Sequence, residues 1–232
     1  MSEAGRRRFL ARGASAAWSL AAASRVGGGG ALRAGRLAVP LSSAALAAAC
    51  SRSDERPRFR NTDITGAEFA RSFSLTGHDG QPRTLDSFKG KVVTVFFGFT
   101  QCPDVCPTTL AEMAEVMKLL GPDADRVQAL FVTVDPERDT PELLSKYVPA
   151  FDPRFLGLYG SADEIARTAR EFRVFYQKVP GKAPGQYQVD HTAASFVFDP
   201  QGKVRLYVKY GQGAEPLAHD IRLLLGAPRG RG

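Results

Sequence analysis

Lys91 to Phe99 is an unbroken run dominated by valine and phenylalanine, and it constrains the fold more than any other stretch of the chain. A strand that is apolar on both alternating faces must be covered on both sides, which places it at the centre of a sheet. It runs directly into Phe99-Thr100-Gln101-Cys102-Pro103-Asp104-Val105-Cys106-Pro107-Thr108. From Thr108 to Leu120 the apolar positions Leu110, Met113, Met117 and Leu120 then recur at helical spacing. Two cysteines therefore sit at a strand-to-helix junction, where backbone N–H groups and the helix dipole favour thiolate over thiol. A disulfide across so short a loop would remove little chain entropy and stabilise the domain weakly. The pair reads as reactive or metal-binding ahead of purely structural.

The rest of the chain supplies layers for that strand. Phe73 to Thr76 and Arg83 to Leu85 flank the turn residues Gly77-His78-Asp79-Gly80 and predict a small hairpin. Val127 to Val134 is a second buried strand. Thr140 then caps a helix that has Pro141 at its first position. Phe155 to Tyr159 is a short strand, and Ser161 with Glu164 forms a capping box for a helix to about Phe172. Val174 to Val179 reads as strand, Pro180 to Gln188 as a Gly/Pro-rich loop, and Ser195 to Phe198 and Val204 to Tyr210 as strands joined by a turn. Glu215 to Leu225 closes the chain as an amphipathic helix. The pattern predicts an α/β fold with a mixed central sheet flanked by helices. A cysteine pair between the first long strand and the first long helix is the arrangement of a thioredoxin-like fold, here with an added N-terminal hairpin. The folded domain is expected over 66–228.

Charge separates the N-terminus from the rest. Residues 1–50 hold seven of the 31 basic side chains and one of the 24 acidic ones, which leaves 24 and 23 in residues 51–232. The net charge of +7 thus belongs to the leader. The remainder carries no basic stripe interleaved with aromatics, so no nucleic-acid partner is expected. Arg6-Arg7-Arg8-Phe9-Leu10 matches a twin-arginine export pattern. The run ending Leu46-Ala47-Ala48-Ala49-Cys50 resembles a lipoprotein signal, with Cys50 as the lipid-bearing residue. Residues 1–50 are read as an export leader and 51–65, polar and arginine-rich, as a flexible tether. Export implies an oxidising compartment, where a dithiol works only if it is kept reduced or loaded with metal.

Three residues separate Cys102 from Cys106, against two in thioredoxin-type redox motifs. Pro103 and Pro107 keep a regular helix from running through the pair, so Cys102 is expected on the loop, Cys106 near the helix cap and Pro107 in the first turn. A third ligand must come from His78, His191 or His219. His78 lies in ordinary turn composition and His219 in a charged stretch of the last helix; both read as surface residues. His191, beside Asp190 and just ahead of a buried strand, is the candidate, and Asp190 a candidate to orient it. Two thiolates and one imidazole form a soft, low-coordinate set that suits Cu(I), and Cu(II) if another donor joins. Zinc prefers a fourth ligand. Met113 and Met117 fit the apolar stripe of their helix.

These motifs resemble those of the Sco/SenC family. Phe97 to Leu110 resembles its cysteine motif, Thr133 to Pro141 its second signature, and Val189-Asp190-His191-Thr192 its histidine motif, all in the family's order. Thioredoxins and peroxiredoxins lack the histidine motif and usually carry a proline where this chain has Thr192-Ala193-Ala194. The resemblance implies a membrane-anchored copper metallochaperone on the periplasmic side of the cytoplasmic membrane. Such a protein assists assembly of the binuclear copper centre of cytochrome c oxidase subunit II and exchanges metal with other copper carriers. It implies Cys102, Cys106 and His191 as copper ligands and Asp135 as a structural or supporting residue. The alternative is a thiol-disulfide oxidoreductase in which Cys102 and Cys106 are the redox pair that reduces the oxidase's copper-ligand cysteines or other exported thiols. A peroxidase is disfavoured, since neither cysteine has a peroxidatic context.

Overall fold

All seven residues of Val92–Gly98 are buried, and the rest of the fold is layered around them. The computed structural model describes residues 58–181 and 186–226. The leader over 1–50, Cys50 and residues 51–57 lie outside the described residues. In chain order the strands are β1 (Thr62–Asp63), β2 (Ser74–Gly77), β3 (Pro82–Thr84), β4 (Val92–Gly98), β5 (Val127–Thr133), β6 (Leu156–Tyr159), β7 (Tyr176–Pro180), β8 (Tyr187–His191), β9 (Ala194–Phe198) and β10 (Val204–Lys209). The helices are α1 (Val105–Leu120), α2 (Pro141–Tyr147), α3 (Ala162–Glu171) and α4 (Ala214–Leu224).

Eight strands form one sheet in the order β1-β10-β9-β4-β5-β6-β2-β3. β4, β5 and β6 run parallel, and the remaining neighbours are antiparallel, so the sheet is mixed as expected. The β2–β3 hairpin extends it beyond β6. Side chains alternate across β4. Phe97 points to the face where Phe172, just past α3, meets Phe97, Phe196 and Phe198 edge-on or tilted, at 5.1–6.0 Å between ring centroids. Phe96 and Gly98 point to the opposite face, toward α1. Each fully buried phenylalanine in this core is worth about 2–3 kcal/mol in removed apolar surface. Thr140 and Ser161 cap α2 and α3 as expected, with Ser161 and Glu164 completing the capping box. The architecture is thioredoxin-like.

Three details differ from the sequence reading. The tether does not reach 65. Thr62 and Asp63 pair with Tyr207 and Leu206, and the buried carboxylate of Asp220 accepts hydrogen bonds of 2.9 Å from the backbone N–H groups of Arg60 and Asn61 and from Asn61 Nδ2. A carboxylate removed from water needs such charge-assisted donors, and they make residues from about Arg60 part of the domain. Helix α1 starts at Val105, so Cys106 lies beside the cap and Pro107 in the first turn as expected, where a missing N–H costs nothing. The 180–188 loop is shorter than expected. Tyr187–His191 is a strand paired with β7, in a two-stranded ribbon separate from the main sheet. Only Val189 of that strand is buried, so it carries no alternation to read.

His78 and His219 are not free surface side chains. His78 is half-buried and its Nδ1 accepts the Gly157 N–H at 3.0 Å, while the His78 backbone N–H donates to the Gly157 carbonyl at 2.8 Å. It thereby locks the β2 end to β6. His219 Nδ1 lies 2.9 Å from Asp220 Oδ1. Met113 and Met117 are core residues. Among the described residues, no helix is long and apolar enough to cross a membrane.

Candidate metal centre

Beyond β4 the chain turns at Phe99-Thr100-Gln101, closed by the Cys102 N–H donating to the Phe99 carbonyl at 3.2 Å. Cys102 is left half-buried on this turn, and Cys106, the second residue of α1, is fully buried behind it. Gly98 makes that burial feasible. A Cβ there would lie 2.8 Å from Cys106 Sγ and 2.8 Å from Cε2 of Phe131, so the absent side chain is the space the sulfur occupies.

His191 reaches the same place from the end of β8. Its ring is held edge-on by Phe96 and Phe99, each 5.9 Å away between centroids, and its Nε2 lies 3.4 Å from Cys106 Sγ. Nδ1 lies 3.2 Å from the carbonyl oxygen of Thr192. A carbonyl only accepts, so Nδ1 carries the proton and Nε2 turns its lone pair toward the sulfurs. Asp190, the expected orienting group, is exposed on the other face of the ribbon, and the Thr192 carbonyl takes that role. Burial holds the His191 pKa below its usual value, against the opposing pull of the Thr192 carbonyl and Asp190. The ring is therefore neutral near pH 7, the form that binds metal.

The donor atoms of Cys102, Cys106 and His191 all lie within 4.8 Å of one another, and both cysteines are free thiols. Burial pushes the Cys106 thiol well up, outweighing a backbone hydrogen bond from Phe99. This reverses the expectation that the helix N-terminus would favour thiolate at Cys106; without metal the buried sulfur keeps its proton. Two sulfurs and one neutral imidazole in a partly dry site fit copper.

A second layer holds the three segments together, and most of it escaped the sequence reading. Asp139, 1% exposed, accepts from Thr100 N–H at 3.1 Å, Thr100 Oγ1–H at 2.6 Å and Thr133 Oγ1–H at 2.7 Å. It thus ties the cysteine turn to the end of β5. Burial raises its pKa in spite of these donors. Asp135, fully buried, pairs with Arg138 Nε and accepts from the Tyr187 hydroxyl at 2.7 Å, consistent with the structural role implied for it. That bond and burial push the Tyr187 pKa up to about 12, burial being the larger cause. Arg138 also donates to Gln101 Oε1 at 3.1 Å and to the Tyr187 carbonyl at 3.0 Å. Its guanidinium stacks 3.7 Å over the Tyr187 ring. One arginine thereby latches the strand bearing His191 to the turn bearing Cys102. Asp139 and Arg138 lie in the quoted second signature, but nothing in the sequence signals Tyr187.

The comparisons with known proteins agree with this geometry. The SCO1/SenC family model matches residues 61–226. The chain is 38% identical over 185 residues to the mitochondrial SCO2 homolog of Mus musculus, covering 78% of this chain and 72% of that protein. It is 41% identical over 159 residues to the SCO2 homolog of Bos taurus, covering 68% of this chain and 60% of that protein. Among solved structures it is similar to copper-bound ScoI of Bradyrhizobium japonicum, with TM-score 0.62, 44% identity and coverage of 66% and 98% of the two chains. It is also similar to apo Sco1 of Thermus thermophilus, with TM-score 0.65, 43% identity and coverage of 72% and 98%. A further likeness is to BsSco, described with a disulfide switch and as a member of the Sco family of cytochrome c oxidase assembly proteins (TM-score 0.57, 25% identity, coverage of 74% and 100%). The family match spans the whole described fold, from the first edge strand to the last helix, and the chain belongs to the SCO1/SenC family.

Proposed function

We propose that this chain is a membrane-tethered copper metallochaperone that assists assembly of the binuclear copper centre of cytochrome c oxidase subunit II, with Cys102, Cys106 and His191 as its copper ligands. The observation that carries the reading is the convergence of two thiols and one correctly oriented neutral imidazole within 4.8 Å. The copper-bound relative supports the choice of metal, and the family's link to cytochrome c oxidase assembly supports the partner.

Copper is cargo here, and the burial gradient suits a carrier. Cys102 is the half-buried sulfur that an incoming thiolate can reach, while Cys106 is fully buried behind it. A three-coordinate site leaves room for a partner ligand to join before one of its own lets go. Loading displaces the protons of both thiols to solvent, and burial keeps water from competing for the metal. The export motif and Cys50 support a lipid-anchored protein on the periplasmic side of the cytoplasmic membrane; loss of fatty-acid labelling in Cys50→Ser checks the anchor.

A thiol-disulfide oxidoreductase is the second reading, favoured by the unpaired state and proximity of the two cysteines. Deprotonated Cys102 would attack a partner disulfide, Cys106 would resolve the mixed disulfide, and two electrons and two protons would pass to the partner. The two readings part at His191. Copper(I) titration of the reduced protein against a competing chelator should give one copper per chain, held at least about tenfold more weakly in His191→Ala, the cost of one lost ligand. Equal affinity in that variant would sink the copper site. Redox activity lost in Cys102→Ser but intact in His191→Ala, with no copper bound by wild type, would favour the oxidoreductase.

A further inference from the structure

His191 is the last residue of β8, and the residue after it breaks the ladder pattern in one bond. The β7–β8 register pairs Gln177 with Asp190 and Tyr176 with His191, so the next pair in line is Phe175 with Thr192. Antiparallel strands alternate between residues that exchange two N–H···O=C bonds and residues that exchange none. At the far end of the ribbon the Gly181 N–H donates to the Gln186 carbonyl at 2.7 Å. Stepping by twos from that pair along both strands makes Phe175 and Thr192 a bonded pair. Only one of its two bonds is regular. The Thr192 N–H donates to the Phe175 carbonyl at 2.9 Å, but the Phe175 N–H donates to Thr192 Oγ1 at 3.0 Å. The Thr192 carbonyl, which would ordinarily accept that N–H, lies 3.2 Å from His191 Nδ1 instead. One residue on, the chain is pinned again, by the Tyr210 N–H donating to the Ala193 carbonyl at 3.1 Å.

We propose that Thr192 is a positioning residue for the copper site: its hydroxyl takes the place of its own carbonyl in the ladder, which frees that carbonyl to hold His191 Nδ1–H and aim Nε2 at the sulfurs. The inference rests on the copper-site reading above. Threonine hydroxyls compete with backbone groups for nearby hydrogen bonds; here the competition redirects a carbonyl. Without the hydroxyl, the acceptor that the register supplies to the Phe175 N–H is the Thr192 carbonyl, and the ladder closes in its regular form. His191 then loses the bond that fixes its ring, and either nitrogen can carry the proton. When Nε2 carries it, the nitrogen 3.4 Å from Cys106 Sγ has no lone pair to offer a metal. The bond made by the other ring nitrogen sets the tautomer of a ligating histidine, and losing such a partner costs about 10–100-fold in metal affinity.

The test compares Thr192→Val and Thr192→Ser with wild type in the full chain. Valine keeps the branched shape and removes the hydroxyl, while serine keeps the hydroxyl and removes the methyl group. In a chelator competition, Thr192→Val should hold copper(I) about tenfold more weakly, with Thr192→Ser within about twofold of wild type. Nitrogen NMR of His191 in the reduced, metal-free protein should be read at about pH 8, where an ordinary histidine is neutral. It should show the Nδ1–H form alone in wild type and Thr192→Ser, and a mixture of both forms in Thr192→Val. Urea midpoints of the three metal-free proteins should lie close together, because the valine variant re-forms the ladder bond. A valine variant with wild-type affinity and the Nδ1–H form alone would overturn the inference, whatever its stability. A serine variant as weak as the valine one would overturn it too, making the methyl group's packing the cause. If wild-type protein takes no copper, or takes it without His191, the copper-site reading fails, and the nitrogen signals still decide whether Thr192 sets the tautomer.

Discussion

Gly98→Ala puts a single methyl group between β4 and the buried sulfur, and the structure fixes what it would meet. The new Cβ would stand 2.8 Å from Cys106 Sγ, 2.8 Å from Phe131 Cε2 and 3.0 Å from Phe96 Cε1. None of these neighbours is a flexible tip. Cys106 is 0% exposed on α1, Phe131 is 1% exposed on β5, and Phe96 packs against both Phe131 and His191. Overpacking of this kind costs about 1–3 kcal/mol. Alanine also restricts the unfolded chain, which returns about 0.4–1 kcal/mol. The steric term wins, and a net loss of about 0.5–2 kcal/mol is expected from urea denaturation of the reduced metal-free protein. The same displacement moves Cys106 Sγ relative to His191 Nε2, now 3.4 Å away, so copper(I) affinity in a chelator competition should fall as well. A variant with unchanged midpoint and unchanged affinity would refute the claim that Gly98 is the space the sulfur occupies.

Two further outcomes follow from the surrounding network. Arg138→Met strips the buried Asp135 of its cationic partner and cuts the links to Gln101 and the Tyr187 carbonyl. It should cost about 3 kcal/mol, the penalty for orphaning a buried charge, and amide exchange in residues 187–191 should quicken in the same sample. Exchange there at the wild-type rate would mean Arg138 is no latch. His78 has its pKa lowered chiefly by burial, against the raising effect of Asp79, and its Nδ1 must be unprotonated to accept from Gly157. Its contribution to stability is therefore full above the unfolded histidine pKa and is lost as pH falls through the lower folded value. His78→Gln should flatten the stability profile below about pH 6.5, the ordinary histidine value; an unchanged acid slope would exclude His78 as its source.

The fold was legible because its central elements bury continuous apolar runs. β4 and β5 are buried on both faces and announce themselves in composition, and α2 and α3 carry caps whose side chains bond as their spacing predicts. What the sequence concealed depends on tertiary partners. β8 is a mostly exposed ribbon strand defined by pairing with β7, and the 60–63 segment is ordered by pairing with β10 and by one distant carboxylate, Asp220. At the site, the cysteines and His191 could be named from residue type, spacing and position. The protonation of Cys106 could not, because the helix N-terminus and burial act in opposite directions and only the packing of Gly98 and Phe131 decides between them. Likewise nothing local marks Tyr187, whose role rests on a contact 52 residues away.

The most direct test of the central claim is copper-edge X-ray absorption of the copper(I)-loaded protein, wild type beside His191→Ala. The geometry predicts two sulfur scatterers and one imidazole in wild type, with the imidazole signal absent from the variant. An all-sulfur first shell in wild type, or an imidazole signal that survives removal of His191, would contradict it.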